Sequence, residues 1–513
     1  MKLTILLCLI LVVLTRGSSG LLGPPERSYK ILMLLPVATK SHGNVFFPLA
    51  EALADRGHEI VMLTNFPKSS KHPNITEITH DLPYFKFENI DMFGAASNVM
   101  NIFTKLSFVA REMYHVPAVK ELYQRRKEFD LMVVNAMFNE VAYPFVHNVS
   151  FITLFTSARN HRVSAVLGNV LNPAYVPFMD NFHFPASVWQ RLLNTVHHIS
   201  YPFYWRIWSI VPTVQKEISA QFPELPPLLD LERNMSLTLI NGHFSTDIPL
   251  PLLPSQVEVG GMHCRPASPL PQDLESWIIG AGSAGVVYFS LGSVARGTSV
   301  PVKYRDFLIE AFRRLPQRVL WKHEEELENL PDNVMINKWL PQQDILAHHN
   351  VKVFISHCGF LSLQEAIYHA TPLLALPIYS DQPRNAKLMR DAGLGLMLVW
   401  EELTVDLIVD ALTDIINDPK YKENVIRKSV RMRDQATSPR ERAVFWTEYV
   451  IRHRGAPQLR SPAAQLSWVE FLMLDVLLLL LLALSLLLFI LHRIFRIVTA
   501  ILFSGDGRKK KSD

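Results

Sequence analysis

The chain has 513 residues, enough for two or three domains. Its 51 Lys and Arg nearly balance its 47 Asp and Glu, and the net charge of +4 argues against a nucleic-acid partner. Cys8, Cys264 and Cys358 are the three cysteines. They are too few for a disulfide framework, so an apolar core must stabilise the fold.

Residues 1–20 have the pattern of a secretory signal peptide. Lys2 supplies a positive charge, residues 5–14 are apolar, and small residues follow at 17–20. An N-terminal membrane anchor is the alternative, but the apolar run is short. In a lumenal chain, the sequons at Asn74, Asn148 and Asn234 are candidate glycan sites.

Residues 29–64 predict a strand at 29–36, a polar turn, a helix at 45–54 and a second strand at 59–64. The turn lacks G-x-G-x-x-G, so it is not a dinucleotide-binding fingerprint. It holds His42 at the carboxyl end of the first strand, where ligands bind in parallel α/β sheets. A capping or surface histidine is the alternative interpretation.

A further buried strand is predicted at 129–134, followed by Asn135 and then Glu140. The stretches 85–125 and 155–235 are helical in pattern, and the second is rich in aromatic residues, including Phe182, Phe184 and Trp205. This composition indicates a packed helical core, an apolar acceptor pocket with or without membrane contact, or both.

Prolines and glycines between 249 and 271 interrupt the periodicity and predict a domain boundary. We place it between an N-terminal domain at 21–260 and a C-terminal domain at 261–460. The second domain opens with a strand at 286–289 and a turn of small residues. In that turn Gly292 lets a ligand approach the backbone, and Ser293 can donate a hydrogen bond to phosphate.

Trp339 and Gln342 follow a strand that ends near Asn337. The indole offers a flat face to a pyrimidine, and the amide offers both a donor and an acceptor to a uracil edge. Core packing is the alternative for Trp339, but Pro341 favours a loop.

Residues 351–382 predict two buried strands joined by a helix, with polar residues at the strand ends. The helix follows His357 and starts at Gly359, so its free N–H groups and positive dipole end suit a phosphate. Asp381 and Gln382 follow the second strand.

The run FISHCGFLSLQEAIYHATPLLALPIYSDQ in this segment resembles the signature of the UDP-glycosyltransferases, in particular the membrane-anchored animal UDP-glucuronosyltransferases. Cys358 departs from the pattern, because the family usually has Gly there. The resemblance implies an α/β fold of the GT-B type, with two Rossmann-like domains facing a cleft, plus one C-terminal transmembrane helix.

The resemblance also implies roles in the first domain. His42 matches the family's general base. The residue that orients this base is usually Asp, and here the matching position is Asn135. An amide can hold the imidazole tautomer, but it cannot stabilise an imidazolium as a carboxylate does. Glu140 is a candidate substitute, and a solvated helix residue is the equal alternative.

In the second domain, the resemblance implies a complete UDP-sugar site. Uracil would contact Trp339 and Gln342, and the ribose would contact Glu365. The diphosphate would contact Gly292, Ser293, His357, Ser362 and the N–H groups after Gly359. The sugar hydroxyls would contact Asp381 and Gln382.

The predicted reaction is inverting transfer of glucuronic acid or glucose to a hydroxyl of a small lipophilic acceptor. No cofactor or metal is expected, and no Asp-x-Asp occurs in the sequence. The alternative is a non-catalytic membrane-anchored protein that binds UDP-sugar or lipophiles, because Asn135 replaces the expected carboxylate. A homo-oligomer is left open.

Residues 471–491 are apolar enough to span a lipid bilayer, and a basic tail at 492–513 follows them. The positive-inside rule places that tail in the cytosol. Lys510 and Lys511 resemble a dilysine retrieval signal. These features predict a single-pass type I protein of the endoplasmic reticulum with its catalytic part in the lumen.

Overall fold

The computed structural model describes residues 22–82, 93, 97–178, 185–293 and 297–504. The predicted signal peptide, Phe182, Phe184 and the dilysine pair at Lys510 and Lys511 lie outside the described residues. The chain forms two compact units, Met1–Arg460 and Ser461–Asp513.

The first unit contains two parallel sheets, and the first has seven strands in the order β3-β2-β1-β4-β5-β6-β7. The strands are β1 (Lys30–Leu35), β2 (Glu59–Thr64), β3 (Ile75–Thr79), β4 (Leu131–Asn135), β5 (Phe151–Phe155), β6 (Leu237–Ile240) and β7 (Gln256–Glu258). The accompanying helices are α1 (Lys40–Asp55), α2 (Ser97–Glu112), α3 (Pro117–Gln124), α4 (Tyr143–Val146), α5 (His161–Val166), α6 (Val188–Phe203), α7 (Ile210–Gln221) and α8 (Leu228–Arg233).

The second sheet has six strands in the order β10-β9-β8-β11-β12-β13. They are β8 (Val286–Ser290), β9 (Arg318–Lys322), β10 (Val334–Asn337), β11 (Val351–Ser356), β12 (Leu373–Ala375) and β13 (Gly395–Met397). Its helices are α9 (Gln272–Ile279), α10 (Val302–Arg314), α11 (Gln342–Ala347), α12 (Phe360–Tyr368), α13 (Gln382–Asp391), α14 (Val405–Asn417), α15 (Pro419–Arg433) and α16 (Pro439–Arg452). The predicted boundary after residue 260 falls between β7 and β8.

The central strands are buried on both faces, as β1 illustrates. Ile31, Met33 and Leu35 pack into the apolar cluster on one side of the sheet. Leu32 and Leu34 pack into the cluster on the other side. Strands covered on both faces read as continuous apolar runs, which is why the sequence predicts them well.

Helix α16 connects the end of this unit to its beginning. Glu448 of α16 accepts a hydrogen bond from Arg56, just after α1, at 2.5 Å and lies 3.0 Å from Nε2 of His58. Glu448 is almost fully buried. The ion pair therefore ties the C-terminal helix to the first sheet.

The second unit contains α17 (Trp468–Phe471) and the long helix α18 (Leu474–Ser504). The stretch Leu474–Phe503 has a mean hydropathy of 3.0 and is long and apolar enough to cross a membrane. The helix runs beyond the predicted span at 471–491, because Ile494, Phe495 and further apolar residues continue past His492 and Arg493.

Candidate active site

A cavity of about 1320 Å³ opens where the carboxyl ends of the two sheets meet. Both halves of the first unit line it, as the opposed-domain architecture requires. All but two of the predicted site residues contribute to its wall. These are His42, Gly292, Ser293, Trp339, Gln342, His357, Gly359, Ser362, Glu365, Asp381 and Gln382.

The sequence predicts that His42 lies in a polar turn before the helix, but in the structure it lies in the first turn of α1. The helix starts earlier because the Thr39 hydroxyl caps it, accepting a hydrogen bond from the His42 N–H at 3.4 Å. Burial lowers the pKa of His42 to about 4. The imidazole is therefore neutral at pH 7, which is the state that can accept a proton.

Asn135, the last residue of β4, contacts His42 directly. Its Nδ2 lies 3.2 Å from Nδ1 of His42, while its Oδ1 accepts the N–H of Met137 at 3.2 Å. The Met137 bond assigns the orientation of the amide, because a backbone N–H needs an oxygen as its acceptor. Nδ2 then donates to Nδ1 of His42, and the histidine proton resides on Nε2.

Glu140 does not pair with His42; the structure gives it other partners. Its Oε1 accepts hydrogen bonds from Nη1 of Arg162 at 2.5 Å and from the Trp205 indole at 2.6 Å, and the carboxylate is almost fully buried. A buried carboxylate requires such a cationic partner. The alternative interpretation, a solvated residue, is wrong as well, because Glu140 belongs to a buried ion-pair network that also includes Glu232.

Aromatic side chains form the wall beside His42. This part of the cavity is lined by Phe138, Phe155, Phe178, Tyr201 and Trp205. Trp205 is buried and also lines the cavity, so the aromatic stretch contributes both to the core and to the cavity wall.

Helix α6, which carries Tyr201, turns its apolar face outward. Its inward residues include Asn194, which is buried, and His198, which is half-buried. Its exposed residues include Trp189, Leu193 and Phe203, at 77%, 58% and 51% exposure. This is the reverse of the usual arrangement for a helix on a water-facing surface.

The turns after β8 and β11 fit closely around His357. Gly292 has a φ of 87°, and a Cβ there would lie 2.7 Å from Cε1 of His357. A Cβ at Gly359 would lie 2.5 Å from Nε2 of the same ring. Only glycine fits these positions without moving the imidazole. Burial, aided by the charge of Lys322, lowers the pKa of His357 to about 4.

Cys358 stands between these residues with a φ of 62°. This left-handed conformation explains why the family's usual Gly suits the position, and it costs a non-glycine residue about 1–2 kcal/mol. The predicted turn is present, and the thiol is fully buried.

Helix α12 begins after Gly359, as predicted, and presents Ser362 and Glu365 to the cavity. Gln342 joins them: its Nε2 donates to Oε2 of Glu365 at 2.5 Å and lies 3.2 Å from the Ser362 hydroxyl. Its Oε1 accepts from the Tyr288 hydroxyl at 3.2 Å. Burial raises the pKa of Glu365 to about 7. These contacts pre-orient groups that the resemblance assigns to uracil and ribose.

Trp339 lies in the loop between β10 and α11 and is 60% exposed, so core packing does not explain it. Nζ of Lys40 stands 4.3 Å from the centre of its ring. The ammonium group of Lys40 therefore covers one face of the indole, and Trp339 lines the cavity.

Asp381 and Gln382 mark the start of α13. Oδ2 of Asp381 accepts from Asn385 at 2.7 Å, and burial raises the pKa of its carboxyl group. Oε1 of Gln382 accepts from the N–H groups of Ile378 and Tyr379, at 2.8 and 3.1 Å. The Gln382 amide nitrogen is thus the group placed to meet a ligand.

Sequence reasoning missed six cationic residues in the cavity wall: Arg159, Arg162, Arg265, Lys322, Arg384 and Arg440. Lys322 ends β9, so the strand-end rule could have found it. Arg159 and Arg384 carry no motif of their own.

The two parallel sheets and the cleft at their strand ends form the GT-B fold, and known structures agree. The chain is similar to CalG4, the calicheamicin glycosyltransferase, with a TM-score of 0.57 and 17% identity over 84% of this chain and 100% of that one. It is also similar to LpCGTa in complex with UDP, with a TM-score of 0.53 and 16% identity over 83% of this chain and 100% of that one.

Sequence comparison identifies the family. Residues 32–509 match the family described as "UDP-glucoronosyl and UDP-glucosyl transferase", and the chain belongs to it. It is 35% identical to the UDP-glycosyltransferase UGT5 of Dactylopius coccus, over 88% of each chain. It is 31% identical to human UDP-glucuronosyltransferase 2B15, over 91% of this chain and 92% of that protein. The protein is therefore an enzyme that transfers sugar from a UDP-sugar, which disfavours the non-catalytic alternative.

Proposed function

We propose that the enzyme transfers the sugar to a hydroxyl of a small lipophilic acceptor, with inversion at the anomeric carbon. The supporting observation is that His42, neutral and hydrogen-bonded to Asn135, lines the same cavity as Gly359 at the start of α12. The aromatic wall beside His42 suits an apolar acceptor.

In the proposed mechanism, Nε2 of His42 takes the acceptor proton as its oxygen attacks the anomeric carbon. The bond to UDP breaks on the opposite face, and the diphosphate leaves toward Ser293, His357 and the N–H groups that open α12. Base action at Nε2 needs the imidazole proton on Nδ1. The Asn135 amide must then turn its oxygen toward His42.

Substitution of His42 tests the mechanism. His42→Ala should lower turnover by roughly a hundredfold or more, and UDP affinity should stay unchanged because the donor site lies in the other half. His42→Gln is the matched variant, since it can still hydrogen-bond to Asn135 but cannot accept a proton. Product formation is followed by mass spectrometry, the anomeric configuration by NMR and UDP binding by calorimetry. Near-normal glycoside formation by both variants would refute the mechanism.

We also propose that the enzyme is a type I protein of the endoplasmic reticulum membrane, with its catalytic part in the lumen. The apolar helix α18, the predicted signal peptide and the basic C-terminal tail support this topology. Asn74, Asn148 and Asn234 are exposed, as lumenal glycan sites must be. A homo-oligomer remains a prediction.

The dilysine pair provides the test of this location. Lys510→Ser with Lys511→Ser should send part of the protein to the Golgi and the cell surface, with topology retained because Arg493 and Arg496 remain. Microscopy, glycan maturation and protease protection of microsomes measure the two effects. Unchanged reticular staining would show that retention depends on another segment.

A further inference from the structure

Arg159 is a buried cation in the wall of the cavity. It follows β5, and its side chain is 5% exposed. Nη2 donates to Oδ1 of Asp247 at 3.0 Å, while Nη1 is buried and has no hydrogen-bond partner among the described residues. A buried donor without a partner is uncommon and costly, so at the wall of a binding cavity it favours a ligand that brings an acceptor.

A second arginine reaches the same point from the other half of the first unit. Nη2 of Arg384 donates to the same Oδ1 of Asp247 at 2.6 Å. Arg384 lies on α13, three residues after Asp381, and both residues line the cavity. Two guanidinium groups from opposite sides of the cleft thus share one carboxylate oxygen.

The surroundings of Asp247 add further positive charge. The positive charges of Lys428 and Arg159 both favour the ionised form of this carboxylate. Burial raises the pKa of Asp247 and lowers the pKa of Arg159, which reflects a site with little solvent. Glu258 is a second carboxylate within electrostatic range of Asp247. Three cations and two carboxylates still leave a net positive charge here, which favours an anionic group.

We propose that Arg159, with Arg384 beside it, recognises the carboxylate of a uronic acid carried by the donor, so that the enzyme prefers UDP-glucuronate to UDP-glucose. This inference rests on the proposed transfer reaction. Guanidinium groups bind carboxylates through short, charge-assisted hydrogen bonds, and Nη1 of Arg159 would gain the acceptor that it lacks. The neutral hydroxymethyl group of glucose cannot balance this charge.

Binding and turnover of the two donors by the full-length enzyme in detergent test the proposal. Arg159→Met keeps most of the side-chain volume and should lower affinity and kcat/KM for UDP-glucuronate by about 10- to 100-fold. Values for UDP-glucose and UDP should change by less than about threefold. Arg159→Lys keeps the charge without the planar fork and should lie between the wild type and Arg159→Met.

Arg56→Met provides the matched control, because Arg56 also pairs with a buried carboxylate, Glu448, but does not line the cavity. It should leave the ratio of the two donors unchanged. A purely structural clamp of Arg159, Asp247 and Arg384 predicts parallel losses with both donors, and that result would overturn the proposal.

Two other outcomes would also overturn it. A wild-type preference for UDP-glucose would exclude uronate recognition while leaving the transfer reaction intact. A change in preference between acidic and neutral acceptors, with the donor ratio constant, would assign the arginine to an acceptor carboxylate. If no transfer occurs with any donor, the proposed reaction fails, and calorimetry with the two UDP-sugars still decides the uronate proposal.

Discussion

Asn135→Asp should make His42 a more effective general base, because a carboxylate accepts a hydrogen bond from Nδ1 of His42 without a rearrangement. In the wild type, base action requires the Asn135 oxygen to face Nδ1 of His42, which takes the acceptor away from the Met137 N–H. An unsatisfied buried donor costs about 1–3 kcal/mol, equivalent to roughly 5- to 150-fold in rate. A carboxylate offers one oxygen to Met137 and the other to His42, so this cost disappears.

The added negative charge should also change the pH dependence. Burial lowers the pKa of His42 to about 4, and a carboxylate at hydrogen-bond distance raises a histidine pKa by about 1–3 units. In the wild type, the rate should fall only as the pH drops through about 4. In Asn135→Asp, that fall should move to roughly pH 5–7, because protonation of His42 removes the base.

The assay is kcat at pH 8, with a pH profile, for microsomal enzyme and a phenol acceptor. We expect an increase of about 10- to 100-fold for Asn135→Asp. Asn160→Asp is the matched control: Asn160 also lines the cavity, and Asp can retain its helix cap on α5. The control should leave kcat within about twofold. An unchanged kcat and an unmoved acid limb in Asn135→Asp would refute the reasoning.

Trp339→Ala should weaken UDP binding by about 1–3 kcal/mol, the size of a lost base–aromatic stack, and Asp381→Ala should impair UDP-sugar binding while leaving UDP binding intact. Calorimetry separates the two, and an equal loss of UDP affinity in both variants would contradict this division of roles. Glu140→Gln should lower the free energy of unfolding by about 3 kcal/mol, because it breaks the buried pair with Arg162. A lower kcat with an unchanged melting temperature would instead show that Glu140 supports His42.

The sequence predicts those elements whose local hydrophobic pattern matches their burial in the folded protein. The apolar runs of β1 and β11 become buried strands because parallel strands are covered on both faces. The start of α12 at Gly359 follows from the break after β11. The N-terminus of α1 is missed, because the cap at Thr39 lies among polar residues that also suit a turn.

Pairings between distant residues could not be predicted in this way. Glu140 meets Arg162 only after β5 and α5 have folded beside it, and no spacing in the chain encodes that contact. Asp247 likewise meets Arg159 from the loop after β5 and Arg384 from α13, in the other half of the first unit. The orientation of α6 could not be predicted either. The helical periodicity of its apolar residues reveals an apolar face, but it does not show whether that face points to the core or to the surface.

The outward apolar face of α6 has a practical consequence for handling the enzyme. Deleting residues 461–513 removes the most hydrophobic helix, and a soluble catalytic fragment would be the ordinary expectation. Yet Trp189, Leu193 and Phe203 would remain exposed on the first unit. Exposed apolar patches of this kind promote self-association in water. Such a fragment should still need detergent to stay monodisperse, and replacing these three residues by Ser or Gln should relieve that need.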